Sequence, residues 1–478
     1  MNRLLVPSHR CGARVRCSRR PPFLADFLPA AALALCTAVP AQLLAQEVID
    51  LPARDRTLPA EFQEVFRVGA MDGESWEMLG TVRHAGFDAD GNLYLVDGAG
   101  TLDADGLRVL VFDGEGAFVR EFGSAGEGPG EFNMPSGFAV MRDGITVIGD
   151  LGHRAFQLFG PDGSFLRMVR ADASGAAVEA AAGLILGQLL PDPRGGAVFS
   201  LSREGGFSFG IASQGGGDAP EPRGADVQPE APIRPILWVR LEAETVRADT
   251  VVRGWLPPRE RSLSDMISVS GWASVMGAAG VDIGDVLKGI STPSVFEPAL
   301  LAAVLPDGSV VHADSSAYEL EVTPPGSAAP SRILRRPIRP EAVTPAIEKE
   351  YREALESASV STTSRMMVVG GASGGGEVPG MSFSIGAPDP QFYHEIPVLR
   401  ELAATWEGGL WVRRRGKEPE SDGPIDVIDA SGRYVGTLRQ EDAEVPAAFG
   451  PDGLAAFIEL DDFDVATVVV RRLPSALR

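Results

Sequence analysis

Residues 122–165 read FGSAGEGPGEFNMPSGFAVMRDGITVIGDLGHRAFQLFGPDGSF. A Gly-rich loop, 123–130, delivers a strand of small residues at 136–140. Asp143-Gly144 then turns the chain into a second strand at 145–150. A short loop at Gly152 leads to a third strand at 155–159, and Pro161-Asp162-Gly163 turns into a fourth at 165–169. Each apolar run is bounded by Gly, Asp or Pro, which is how consecutive antiparallel hairpins are punctuated. Four short strands within some forty residues make one blade of a β-propeller, so the fold class expected is all-β.

Searching outward for copies of this unit finds a preceding blade with strands at 82–87, 93–97, 108–112 and 118–122. Gly86-Phe87 answers Gly137-Phe138, and Phe112 answers Phe159. A third blade starts at 184–190 and 197–201, is interrupted by a Gly- and Pro-rich excursion over 204–235, and resumes at 237–241 and 250–252. Further copies begin near 300, 399 and 447, each with a Gly-containing turn after its first strand. Six blades result. The last lacks a strand, and residues 62–68 (FQEVFRV) alternate suitably to supply it from the other end of the chain and close the ring.

The opening stretch resembles the NHL-repeat group of six-bladed propellers. Phe122, Gly123, Gly126, Gly128-Pro129-Gly130, Phe132, Pro135 and Gly137 meet the first block of that repeat. Asp150, Gly152, Phe156, Leu158 and Phe159 meet the second, and Asp162, Gly163 and Phe165 the third. His153 stands where the repeat often has Asn, and Ala155 where it often has Arg. Those two residues usually brace neighbouring blades, so the resemblance implies that other contacts hold this joint. A shared propeller fold does not carry a shared function.

Residues 1–46 read as a secretory leader outside the propeller of 47–478. Six arginines form a basic segment, 27–39 is apolar, and Val39-Pro40-Ala41 offers a small-residue cleavage site. Ser18-Arg19-Arg20 approaches a twin-arginine signal with the wrong spacing, so general secretion is favoured, to a periplasmic or secreted location without a stable membrane span after processing. All three cysteines (Cys11, Cys17, Cys36) lie in the leader, which excludes thiol catalysis, disulfides and Cys-ligated zinc from the rest. Beyond the leader there are 37 basic and 64 acidic residues, a formal charge of −27 that repels phosphate backbones and argues against nucleic-acid binding. The preference for Arg over Lys, of which there are only three, reads as compositional bias.

Insertions near 204–235, 258–295 and 340–395 should decorate one face, where loops carry binding. Residues 262–294 are apolar enough for a short helical cap, and Thr344-Pro345 reads as the start of a helix. Candidate binding residues are His84, placed to face the central channel; Asp97, which recurs with Asp150 and Asp314 at the ends of second strands; His153; and Trp255 and Trp272, which could form a shelf for a sugar or peptide. Trp406 and Trp411 are expected to pack between blades. Related propellers hold zinc with channel histidines (the peptidyl-hydroxyglycine amidating lyases) or calcium with Glu, Asn and Asp (gluconolactonases), but the four histidines after the leader do not occupy equivalent blade positions. No cofactor is expected; calcium is a candidate ion at acidic stretches such as 97–106 or 459–464, and zinc enters only with the rival enzyme reading below. No catalytic nucleophile motif is present. The reading that results is a monomeric exported binding module for a protein, peptide or small molecule, with a divalent-cation-dependent lactonase-like or lyase-like enzyme as the rival.

Overall fold

Strands that are apolar on both faces must be covered on both faces, and here sheets cover one another. The computed structural model describes residues 46–98, 106–171, 185, 187–201, 233–259, 267–268, 293–359, 384–385, 390–461 and 465–478. Blade one is Val82–Phe87, Leu93–Asp97, Arg108–Phe112 and Phe118–Phe122; blade two is Pro135–Val140, Thr146–Asp150, Ala155–Phe159 and Phe165–Arg170. Blade three is Gln188–Pro191, Ala197–Leu201, Ile233–Arg240 and Arg247–Trp255; blade four has Leu301–Val304, Val310–Ala313, Glu319–Thr323 and Arg332–Arg335. Blade five is Leu399–Ala404, Leu410–Arg415, Asp422–Ile428 and Tyr434–Leu438. Blade six is Ala448–Phe449, Leu454–Leu460 and Ala466–Arg472, completed by Gln63–Val68 from the start of the propeller. Phe66 lies opposite Val470 and Val68 opposite Val468, so the ring closes as the alternation at 62–68 predicts.

The buried apolar residues form six clusters, one at each blade-to-blade joint. Blades one and two, for example, bury Tyr94, Val109 and Val111 against Phe132, Phe138 and Ile148. Hydrophobic stabilisation is thus spread round the ring rather than gathered in one centre. The tight turns after the first strands keep the blades close. At Gly144, φ is +80°, and a Cβ there would come within 2.9 Å of Pro161, so only glycine fits the turn.

The preference for Arg turns out to have a structural use as well. Arg120 reaches from blade one to the Pro161 carbonyl of blade two, and Arg167 reaches from blade two to the carbonyls of Leu241 and Ala243 in blade three. Arg234, 1% exposed, donates to the carbonyls of Trp255, Pro298 and Asp314 at the joint of blades three and four. Arg336 holds blades four and five together. It donates to Asp426 and Asp55, each at 2.6 Å, and to the Pro52 carbonyl, and its guanidinium stacks 4.5 Å from the Tyr434 ring centroid. A planar fork with five donors can satisfy several carbonyls or carboxylates at once, as a lysine cannot.

Two features depart from expectation. Glu47–Asp50 adds a fifth strand to blade four, pairing in parallel with Arg332–Arg335. Within 262–294, Ile267–Ser268 is extended and pairs with Ser384–Ile385 rather than joining a helical cap; most of that segment, like the leader and the excursion over 204–232, lies outside the described residues. The helix signalled at Thr344-Pro345 is present as Pro345–Ser359, with the Ile347 N–H 3.4 Å from the Thr344 hydroxyl. Among the described residues, no helix is long and apolar enough to cross a membrane.

The Arg336–Asp426 pair has no exposed side-chain surface on either partner. Arg336→Met should lower unfolding free energy by about 3–5 kcal/mol, because it strands a buried carboxylate. Urea denaturation of the variant against the parent checks this. A loss below about 1 kcal/mol would mean that Arg414, 3.4 Å from the same carboxylate, compensates.

Candidate functional site

Two concavities merit attention, the central channel and a cleft above blade four. The first strands of all six blades line the channel, which encloses about 360 Å³. Its wall is built largely of alanine, valine and leucine, with His84, Gln188 and Glu401 among its polar side chains. At the end bearing the short turns, Arg142 of blade two bridges to Trp406 of blade five, on the opposite side of the ring. Its Nη2 donates to the Trp406 carbonyl at 3.1 Å, and its guanidinium lies 4.4 Å from the indole centroid. Trp406 lines the channel mouth and also packs on the core shared by blades six and one, a joint between blades as expected of it. Trp411 packs between blades too, with its indole N–H on the Leu477 carbonyl at 2.9 Å.

His84 lines the channel, its ring 5.9 Å from that of Phe138. Burial, assisted by the neighbouring positive charge of Arg83, lowers its pKa from 6.5 to about 4. It is therefore neutral at pH 7 and can offer one donor and one acceptor.

The recurrent aspartates act alike in three blades. Asp97 accepts the Gly80 N–H at 2.8 Å, Asp150 accepts those of Asn133 (2.9 Å) and Met134 (3.0 Å), and Asp314 accepts that of Trp255 (2.6 Å). Each carboxylate thus clamps the segment arriving from the preceding blade. Arg108 joins Asp97 through two nitrogens. In blade two, where Ala155 replaces the Arg, Gln157 takes over: its amide donates to Asp150 and to the Glu131 carbonyl and accepts the Gly130 N–H. Burial works to raise the Asp150 carboxyl, but the N–H groups of Met134 and Asn133, together with His153, outweigh it and hold the group below the usual range. His153 Nδ1 sits 3.0 Å from Asp150.

The cleft above blade four, about 560 Å³, assembles from segments distant in sequence. Trp255 ends the last strand of blade three, Ser294 belongs to the segment entering blade four, residues 390–394 lead to blade five, and Glu348 and Arg352 come from the helix. Trp255 is 42% exposed, yet its backbone is clamped on both sides: the N–H by Asp314 and the carbonyl by the buried Arg234 Nε at 2.9 Å. Its ring meets Tyr393 nearly edge-on, with centroids 6.4 Å apart. Phe296, Tyr351 and Phe392 pack together behind, and the Arg352 guanidinium lies 4.9 Å from the Phe392 centroid. Phe296 has φ +64°, a left-handed conformation that costs a bulky residue about 1–3 kcal/mol and that this packing supports.

The residues singled out from the sequence are therefore not brought together. His84 lines the channel, Asp97 and His153 sit at blade joints, and Trp255 forms one wall of the cleft. Trp272 lies outside the described residues. Arg142, Trp406 and the partners of Trp255 escape a sequence reading, because no local pattern joins positions so far apart. Among the described residues, no group of three His, Cys, Asp or Glu could hold a metal ion. In the acidic stretches, Glu459 pairs with Arg471 and Asp461 accepts the Val465 N–H.

A family model described as a 6-bladed beta-propeller matches residues 89–181. The blade count of the structure agrees with that description. No curated protein matches. Among solved structures, a protein of Bacteroides fragilis described as exported is similar at 12% identity and TM-score 0.42, covering 90% of this chain and 100% of its own. A member of the duf4221 family from Bacteroides vulgatus is similar at 9% and 0.42, covering 86% and 98%. A gluconolactonase from Xanthomonas campestris is similar at 13% and 0.32, covering 88% and 92%. At these values the likenesses carry no argument about activity.

A prediction about His84 follows from linkage. Because its folded pKa is depressed to about 4, the unfolded chain takes up the proton first as pH falls below 6.5. The His84 contribution to stability is then lost progressively between pH 6.5 and about 4 and is fully present above that window. Melting temperatures across the window should fall less steeply for His84→Gln than for the parent. Parallel profiles would show that channel water already solvates the ring.

Proposed function

We propose that this protein is an exported propeller that binds a ligand on its insertion-bearing face, without catalysing a reaction on it. The leader-like residues 1–46 support export, to a periplasmic or secreted location. The position of the insertions supports the choice of face. Every long connection joins strands two and three of a blade, or the last strand of one blade to the first of the next; the turns at the opposite end are tight. The observation that carries the reading is Trp255, a large aromatic side chain left exposed on a backbone fixed by two hydrogen bonds. With its backbone already held, binding there costs little in loop ordering, which is what a preorganised binding surface requires.

In this reading Trp255 and Tyr393 contact the ligand, and His84 offers a neutral polar group to whatever enters the channel. Asp97 and His153 serve the blade joints. The partner is a protein, peptide or small molecule, nucleic acid being disfavoured by the excess of acidic residues. The NHL resemblance supports the propeller and adds nothing to the choice of ligand.

The rival is hydrolysis or lyase chemistry on a divalent cation. Metal content of the dialysed protein, together with hydrolysis of glucono-δ-lactone with and without added calcium or zinc, separates the two. The binding reading expects less than one equivalent of either metal, unchanged melting on chelation, and hydrolysis at the buffer rate. About one equivalent of bound metal, with lactone turnover abolished by chelator, would overturn it.

A further inference from the structure

Resting on the binding reading above, we infer that the cleft over blade four is a carbohydrate site for a neutral oligosaccharide. The argument starts with which polar groups remain to meet a ligand. Several backbone groups around the cleft are already bonded. Val295 N–H donates to the Gln391 carbonyl at 2.7 Å, Tyr393 N–H to the Val295 carbonyl at 2.8 Å, and Val343 N–H to the His394 carbonyl at 3.0 Å. Trp255 spends its N–H on Asp314 and its carbonyl on Arg234. A peptide recognised through its main chain needs an open row of backbone donors and acceptors, and these positions do not offer one.

Ring faces and side chains remain. Trp255 and Tyr393 meet at an interplanar angle of 67°, forming a corner of two aromatic walls. The apolar C–H face of a pyranose covers such a ring at little cost, while its hydroxyls, each both donor and acceptor, need mixed partners at the edge. The cleft is lined by such side chains in Gln391, His394 and Ser294, beside the paired Glu348 and Arg352. Glu348 and Arg352 pair at 3.2 Å, and the charges of Glu395 and Glu297 act on Tyr393, so the rim disfavours an anionic ligand. A volume of about 560 Å³ falls within the range of small-molecule sites. The walls are rigid for identifiable reasons: Arg234 and the Arg259–Glu297 pair, the latter 3% and 4% exposed, fix the segments from below.

Calorimetric titration of the purified protein tests this, with cellotetraose, maltotetraose, xylotetraose and chitotetraose as probes and heptaproline as the peptide probe. At least one of the sugars should bind with Kd of about 1 mM or tighter. Trp255→Ala should weaken that sugar by about tenfold or more, with melting unchanged. Arg352→Ala should weaken it as well, and serves as the deciding variant if Trp255→Ala does not fold. Three results would overturn the inference: no heat with any of the four sugars, heptaproline binding in their place, or sugar binding untouched in both folded variants. None of these bears on metal content or lactone turnover, so failure here leaves the binding reading standing.

Discussion

Everything in the ring depends on the pairing of Gln63–Val68 with Ala466–Arg472. A propeller has no central core to fall back on. Its apolar surface is buried joint by joint, and a joint exists only when both blades are complete. Blade six without its borrowed strand would expose the row of backbone groups on Ala466–Arg472, and the cluster linking Phe66 and Val68 to Phe87 and Leu93 would lose one wall. Closure therefore couples the joints, although each cluster is local. Four arginines reinforce the same logic, since Arg120, Arg167, Arg234 and Arg336 each bind a carbonyl or carboxylate of the next blade.

The two concavities follow from that architecture. The channel is what remains where six inner strands cannot converge further, and its small side chains and the Arg142–Trp406 bridge fit a space of modest chemical content. The cleft is different. It is added above the ring by connections that the blades do not need, and it collects aromatic rings on backbone that the blades hold still. Scaffold and site are thus divided between the regular and the irregular parts of the chain.

Much of the ring was legible because its signals are local. Asp143-Gly144, Asp307-Gly308 and Asp452-Gly453 each announce a turn, and the alternation in 62–68 announces a strand in need of a partner. The site was only half legible. Trp255 and His84 could be nominated by residue type and blade position. The residues that line the cleft with Trp255, among them Ser294 and Tyr393, come from two separate insertions whose meeting no periodicity encodes. Glu47–Asp50 was missed for a similar reason: four residues with no turn signal pair with a strand nearly three hundred positions away. Gln157 was hidden by a replacement of chemistry, an amide two residues along doing what an arginine does in blade one.

The segment from Glu47 to Val68 touches blade four, then blade five, where the Leu58 N–H donates to the Thr437 carbonyl, and finally blade six. In order of synthesis it is made first among the described parts, yet its partners at 332–335, 437 and 466–472 come late or last. During translation this belt therefore has nothing to fasten to. Blades one and two can form hairpins from neighbouring residues, but the ring locks only when the final strands arrive, a step of very long loop closure and correspondingly slow folding. Until residues 466–472 are made, the strand Gln63–Val68 stays unpaired, so the chain stays open to proteases and to chaperones for the whole of that interval.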